Sequence, residues 1–395
     1  MSTDKLISQR LSKIAPSATL AITQKVRTLK AEGKDVIGLG AGEPDFDTPD
    51  HIKQAAIDAI AAGKTKYTNV DGIPELKQAI CDKFARDNDL AYTPGQINVS
   101  PGGKAVLYNA LVATLDPGDE VIIPTPCWVS YPDMVKLAGG VPVMAQPDPE
   151  FKLTPVTLDR LITPKTRWLI LNSPSNPTGT AYNRDELLGL AEVLRKYPHV
   201  WILTDDIYEH LVYDRFEFTT LAYVAPDLWE RTLTMNGVSK AYAMTGWRIG
   251  YAGAPRPLIG AMAKVMGQTT SNPSSISQWA AVAALNGPHD FLAERNTIFK
   301  ERRDFVVDRL NAIEGISCPN PDGAFYVFPE ISGLLGRKFK TDIEFSTALI
   351  DEVHVGVVPG TAFYAPDHIR ISYASGMDEL KQACDRIADF CKPLV

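Results

Sequence analysis

Trp168-Leu-Ile-Leu-Asn172 and Trp201-Ile-Leu-Thr204 bracket the stretch that decides the fold. Both are short, nearly continuous apolar runs, the pattern of strands buried on two faces. Between them lie a loop, Asn172-Ser-Pro-Ser-Asn-Pro-Thr-Gly179, and an amphipathic pattern over Asp185–Lys196. A strand, a helix and a second strand in this order form the unit of a parallel sheet with helices on both sides.

The same alternation extends outward. Asp47-Thr48-Pro49 is read as opening a helix with Ile52, Ala55, Ala56 and Ile60 on its apolar face and Gly63 at its end. A second helix starts near Pro74 and carries Leu76, Ile80 and Phe84. Gly102-Gly103 precede a third, Lys104 to Leu115, stopped by Pro117-Gly118. Val121–Pro124, Thr232–Asn236 and Ile249–Gly253 read as further buried strands. From about Pro288 the texture changes to a long helix, Asp290–Ala312, then short strands at 324–328, 356–359 and 369–373, and a last helix, Asp378–Phe390. The expectation is an α/β chain in three parts. A large sheet domain spans 48–289, a smaller α+β domain spans 290–395, and segment 1–47 packs with the small domain.

The net charge of −7 excludes a basic nucleic-acid binder held by phosphate neutralisation. With 45% hydrophobic and 22% charged residues the chain is globular, not disordered. Its five cysteines have no Cys-x-x-Cys pair and its six histidines no metal-ligand spacing, so no disulfide framework and no metal site are expected. No apolar run approaches the roughly 20 residues of a membrane span, and the N-terminus does not read as a signal peptide. A cytoplasmic protein is expected.

Polar residues sit where apolar strands end, and carboxyl ends of parallel strands open into the ligand crevice. Asn172–Gly179 is either a stiff loop or the holder of Asn176, presenting its amide. Asp205, after a buried strand, either caps a following helix or meets a cation, since a buried carboxylate is costly alone. In the second case it holds a protonated heterocyclic nitrogen, with Tyr208 beside it as a donor. Lys240, among Gly237, Val238, Ala241 and Ala243, is either a solvated strand end or a desolvated amine with nucleophilic character. Ser239 and Arg248 near it suit a phosphate. Ser100-Pro-Gly-Gly-Lys104 opens a helix whose first amides suit the same anion, but the P-loop pattern is absent. Gly38-Leu-Gly-Ala-Gly42 is a decoy: a turn follows it, not the helix a dinucleotide fingerprint needs.

An amine, an acid for a ring nitrogen, a phenol and a phosphate cradle together describe a pyridoxal 5′-phosphate site. The chain resembles the class I aminotransferases of pyridoxal-phosphate fold type I over essentially its full length, and within them the bacterial aspartate aminotransferases. The likeness rests on Gly40–Pro49, Lys66-Tyr-Thr68, Cys127–Pro132, Asn172–Gly179, Asp205–Tyr208, Ser239–Arg248 and Arg370-Ile-Ser-Tyr-Ala374. It implies a mostly parallel seven-stranded sheet flanked by helices. It further implies that Lys240 bonds the cofactor as a Schiff base and later carries the substrate proton, and that Asp205 keeps the ring nitrogen protonated. Tyr208 and Asn176 then bond the ring oxygen, and Trp128 stacks on the ring. Gly102, Gly103, Lys104, Ser239 and Arg248 hold the phosphate. Tyr67 reaches the site of a neighbouring subunit, which implies a homodimer. Arg370 forks the substrate carboxylate, assisted by the Gly42 backbone, with Trp128 and Asn176 also at the substrate, and Lys104 meets a distal carboxylate.

The implied reaction moves an amino group between L-aspartate or glutamate and 2-oxoglutarate or oxaloacetate in a ping-pong cycle. Aromatic or broad specificity on the same fold is the alternative, and a pyridoxal-phosphate-binding regulatory module a more distant one. Relatives that also take prephenate carry a lysine where this chain has Ala15, which counts against that substrate. Cys127 and Ala362–His368 also depart from the family pattern near the substrate mouth.

Overall fold

The computed structural model describes residues 6–394. Helix α1 (Ala18–Ala31) leads to the two-residue strand β1 (Ile37–Gly38), and α2 (Asp50–Ala61) and α3 (Pro74–Asn88) follow. Strands and helices then alternate: β2 (Ile97–Ser100), α4 (Gly103–Thr114), β3 (Glu120–Pro124), α5 (Ser130–Ala138), β4 (Val141–Ala145), α6 (Pro155–Leu161), β5 (Thr166–Asn172), α7 (Arg184–Arg195) and β6 (Trp201–Asp205). A short α8 (Leu221–Val224), β7 (Thr232–Gly237), β8 (Gly250–Gly253), α9 (Arg256–Thr269) and α10 (Ser275–Asn286) complete this part.

One seven-stranded sheet, ordered β2-β8-β7-β6-β5-β3-β4, forms its centre. β7, β6, β5, β3 and β4 pair in parallel. β8 runs against both its neighbours, β2 and β7. The mostly parallel sheet is as expected, whereas nothing in the apolar run 249–253 signalled the reversal. β2 and β4 lay outside the sequence reading for physical reasons. β2 buries the polar Asn98 and Ser100, and β4 is an edge strand containing Pro142, which an edge tolerates.

Alternation along β5 shows why its apolar run is unbroken. Trp168 and Ile170 pack into the layer of α4, α5 and α9. Leu169 and Leu171 pack into the opposite layer of α6, α7 and α8. Helix α7 illustrates how sequence fixes an element. Asn183 accepts from the Glu186 amide at 3.0 Å while Glu186 accepts from the Asn183 amide at 2.7 Å, closing a capping box. Leu187, Leu190, Ala191 and Leu194 then form its buried stripe, each leucine worth about 1.5–3 kcal/mol.

Asp47 and Thr48 do not cap α2, which begins at Asp50 with no side-chain cap. The Thr48 hydroxyl is taken up elsewhere: it donates to the Ala243 carbonyl at 2.6 Å and accepts from Trp247 Nε1 at 3.0 Å.

The C-terminal part holds α11 (Asp290–Asn311), β9 (Tyr326–Val327), α12 (Asp342–Glu352), β10 (Val355–Gly356), β11 (Val358–Pro359), β12 (Ile369–Ser372) and α13 (Met377–Cys391). β9, β12 and β11 form an antiparallel sheet. The strand read over 324–328 is shorter because Ala324 has φ +59°, which breaks the extended backbone. The strand read over 356–359 is split: Gly356 pairs with β1, while Val358 pairs with β12. That β1–β10 pairing, with the Ser372 amide donating to the Leu39 carbonyl at 2.8 Å, ties the N-terminal segment to the C-terminal one.

Candidate active site

The carboxyl ends of the parallel strands converge on one cavity of about 380 Å³. Register does much of the assembly: Asn172 of β5 lies beside Asp205 of β6, and Asp205 beside Met235 of β7. The loop from β7 to β8 adds Ser239, Lys240 and Arg248, the start of α4 adds Gly103 and Lys104, and β12 adds Arg370. Gly42, Trp128, Asn176 and Tyr208 also line it. Of the residues given a role at the site, only Gly102 and Tyr67 do not; nor do Cys127 and the segment 362–368, expected near the substrate mouth, where the Cys127 amide instead donates to the Phe363 carbonyl at 3.1 Å. Gly102 shapes the turn: its amide donates to the Ser100 carbonyl at 2.7 Å and its φ is +89°. Tyr67 is 90% exposed and stands away from this chain's cavity.

Asp205 does not cap a helix; residues 207–210 form turns. Its Oδ2 accepts from the Tyr131 hydroxyl at 2.6 Å and its Oδ1 from the Ile207 amide at 3.4 Å. Burial pushes its carboxyl up to about 6, against the pull of these donors and of Lys240. The Lys240 amine donates to the Gly42 carbonyl at 2.6 Å. Burial lowers it to about 8; Glu43 opposes the shift, while Arg370 and Arg248 add to it. Lys240 is thus a desolvated amine bonded inside the cavity and not a solvated strand end.

Arg370 is only 1% exposed. Its Nη1 donates to Asn176 Oδ1 at 2.8 Å and its Nη2 to the Gly40 carbonyl at 2.7 Å, while its buried Nε has no partner among the described residues. The Asn176 backbone is itself anchored, its main-chain N–H donating to Asn172 Oδ1 at 2.9 Å. Tyr208 and Tyr326 share a hydrogen bond of 2.9 Å, and burial holds both phenols protonated. The Lys104 ammonium lies 4.8 Å from the Trp128 ring centre. Burial and Arg248 lower its pKa.

The sequence reading missed several cavity residues. Tyr131 lay inside the quoted run Cys127–Pro132 but was given no role. Tyr326 stood in an apolar strand pattern that hid its hydroxyl. Gly40 acts through a carbonyl, which no residue type advertises. Thr19, Thr23 and Arg27 of α1 also line the cavity; their four-residue spacing places them on one helix face, the signal that would have found them.

Residues 34–387 match the family model described as "Aminotransferase class I and II". The chain belongs to the class I and II aminotransferases. Among its relatives, an aspartate/prephenate aminotransferase of Cereibacter sphaeroides is 59% identical, covering 98% of this chain and 99% of that one. A crystal structure of the aspartate aminotransferase from Rhizobium meliloti superposes with a TM-score of 0.95 at 56% identity, covering 98% of this chain and 99% of that one. The Thermus thermophilus aspartate aminotransferase solved with maleate gives 0.92 at 43% identity, covering 97% and 99%.

The cofactor of these aminotransferases is pyridoxal 5′-phosphate, and the residues present fit it. Gly102 holds φ +89°, a backbone conformation that favours glycine, and so brings the chain into α4 without a side chain at that turn. The first amides of α4 have no acceptor within the helix and would suit the phosphate. Asp205 offers an acceptor to a ring N–H, and Arg370 keeps a buried donor in reserve. No helix among the described residues is long and apolar enough to cross a membrane.

Proposed function

We propose that this aminotransferase exchanges the amino group between L-aspartate or glutamate and the 2-oxo acids 2-oxoglutarate and oxaloacetate. The reading is carried by one observation: a desolvated lysine, a buried carboxylate and a buried arginine with a spare donor surround a single cavity. The names of the relatives support the substrate class, as does the maleate, a dicarboxylate, in the Thermus structure.

When bound, pyridoxal phosphate supplies an aldehyde that captures amines and a ring that accepts the electron pair of a broken Cα–H bond. Lys240 would bond it, and the Lys240 amine, its pKa lowered by burial to about 8, would carry the proton from and back to the substrate Cα. Asp205, kept ionised by Tyr131 and the Ile207 amide, holds a proton at the ring nitrogen. Tyr208 and Asn176 would donate to the ring oxygen, and Trp128 would pack on the ring. The amides of Gly103 and Lys104, with Ser239 and Arg248, would hold the phosphate. Arg370 turns its fork to the α-carboxylate, a planar match that fixes the orientation of Cα–H. Lys104, at the cavity wall, faces the distal carboxylate.

The remaining parts of the reading follow from the same resemblance. The chain divides at 47/48 and 289/290, and it works as a homodimer in which Tyr67 reaches the partner's phosphate. Prephenate is a second reading as amino acceptor, favoured by the name of the Cereibacter relative and opposed by Ala15. Stopped-flow absorbance of the loaded enzyme against aspartate, phenylalanine, tyrosine and alanine tests the assignment. Fast bleaching with aspartate and release of oxaloacetate are expected; no spectral response to aspartate refutes it.

A further inference from the structure

Behind the cavity, on the far side of the segment 205–208, lies a second polar cluster that the reaction above does not use. Lys83 of α3 is fully buried and pairs with Glu209 Oε1. Its amine also donates to Asn88 Oδ1 at 2.7 Å, and Asn88 Nδ2 donates to Glu209 Oε2 at 2.7 Å. The three side chains therefore close a ring of hydrogen bonds. His210 Nε2 stands 3.2 Å from Glu209 Oε1 and 3.5 Å from Asp87 Oδ2. Asp87, Glu209 and His210 bring ligand atoms within 4.8 Å of one another. The Lys83 ammonium already serves two of these carboxylates, pairing with Glu209 and lying 3.9 Å from Asp87 Oδ2.

Glu209 directly follows Tyr208. The backbone between the cavity and the cluster is one tight unit: the Glu209 amide donates to the Asp206 carbonyl at 3.0 Å, the Leu211 amide to the Tyr208 carbonyl at 2.8 Å, and the Asp206 amide to the Met235 carbonyl at 3.0 Å. Tyr208 and Glu209 thus sit back to back, one side chain in the cavity and the other locked to α3. A buried ion pair is a poor source of net stability, because apolar residues of similar size stabilise as well or better. What it does supply is a fixed direction, since hydrogen bonds, unlike apolar contacts, set orientation.

We infer that Glu209 is a positioning residue, which Lys83 and Asn88 hold so that the turn 205–208 presents Asp205 and the Tyr208 hydroxyl to the cofactor at fixed geometry. The inference rests on the pyridoxal-phosphate reading above and goes beyond it, because it assigns a task to residues that touch neither cofactor nor substrate.

The test is the double variant Lys83→Met/Glu209→Met, compared with Glu209→Ala and wild type in the loaded enzyme. Thermal midpoint, pyridoxal-phosphate dissociation constant and the pH midpoint of the cofactor absorbance change are measured. Glu209→Ala leaves Lys83 buried without its paired carboxylate and is expected to lower the thermal midpoint. The double variant should recover part of that midpoint, since neither buried charge remains, although the Asn88 amide loses both partners. Its dissociation constant should still rise about tenfold, the scale of one loosened buried hydrogen bond to a charged ligand. Its absorbance midpoint should rise by about half a pH unit or more, because a slackened Tyr208 stabilises the anionic ring oxygen less. A double variant with wild-type affinity and midpoint would overturn the inference, leaving the cluster purely structural. If that variant does not fold, Asn88→Leu decides: it keeps the ion pair but cuts the ring, and unchanged affinity and midpoint overturn the inference equally. A wild-type chain that takes up no pyridoxal phosphate sinks the parent reading and this one together.

Discussion

Replacing Tyr131 by phenylalanine removes a single oxygen from the site. That oxygen is the hydroxyl bonded at 2.6 Å to Asp205 Oδ2, with both groups buried. Burial pushes the Asp205 carboxyl up to about 6, and the tyrosine is the foremost group restraining the rise. A hydrogen bond to a charged acceptor is worth about 1.5–3 kcal/mol, or about 1–2 pKa units. The sign is unambiguous: the bond favours the ionised form, so its loss raises the pKa further. At pH 7 the protonated fraction then climbs from about one in ten to about a half or more. A protonated Asp205 no longer attracts the ring N–H, so affinity for pyridoxal phosphate falls with it. The assay is quenching of tryptophan fluorescence by pyridoxal phosphate, titrated between pH 5 and 9 for both proteins. The ratio of the two dissociation constants cancels the titration of Lys240, which both share. That ratio should be smallest at pH 9, rise as pH falls through 8 and 7, and level off below 6 at about tenfold or more above its alkaline value. A ratio that stays flat with pH would show that Tyr131 does not tune Asp205, and the electrostatic account of the site would fail there.

Other perturbations probe the remaining links. Lys240→Ala should abolish turnover and the borohydride-fixable cofactor label, checked by mass spectrometry of the peptide spanning 240. Arg370→Lys keeps the charge but loses the planar fork, so the KM for aspartate should rise by about tenfold to a hundredfold; an unchanged KM would remove Arg370 from the carboxylate. Asn183→Ala opens the capping box of α7 and should cost about 1 kcal/mol in urea unfolding, with turnover at 25 °C unaltered. In the cofactor-free chain, Asp205 has a folded pKa above its unfolded one. Its contribution to stability is therefore least favourable above about pH 6 and improves as pH falls toward 4. Comparing denaturant midpoints of wild type and Asp205→Asn at pH 7.5 and 5 should show the variant's advantage shrinking on acidification.

Much of the site was legible because its chemistry lies at strand ends, where a charged residue interrupts an apolar run. Asp205, Lys240 and Asn172–Gly179 stand out for that reason, and the sheet follows from the runs themselves. What stayed hidden had a different physical character. Tyr131 and Tyr326 are large and buried, so their side chains read as core while their hydroxyls do the bonding. The carbonyl of Gly40 accepts from Arg370, and a backbone acceptor leaves no mark on a sequence. Thr48 had the identity of a helix cap, but a bond to a loop almost two hundred residues away claimed it. Lys83 reads as a surface residue of an amphipathic helix, and only the tertiary fold brings Glu209 to it.

The reversal of β8 has a consequence for how this enzyme can change. Because β7 and β8 run in opposite senses, the chain leaves and re-enters the sheet on the same side, and the hairpin 238–249 never crosses to the far face. The amine proposed to bond the aldehyde and the guanidinium proposed to hold the phosphate therefore share one short leash. Lengthening or shortening it by a single residue would displace both ends of the cofactor at once. Substrate diversification by insertion is thus barred from this hairpin and must fall on a wall that carries no such double duty, such as α1.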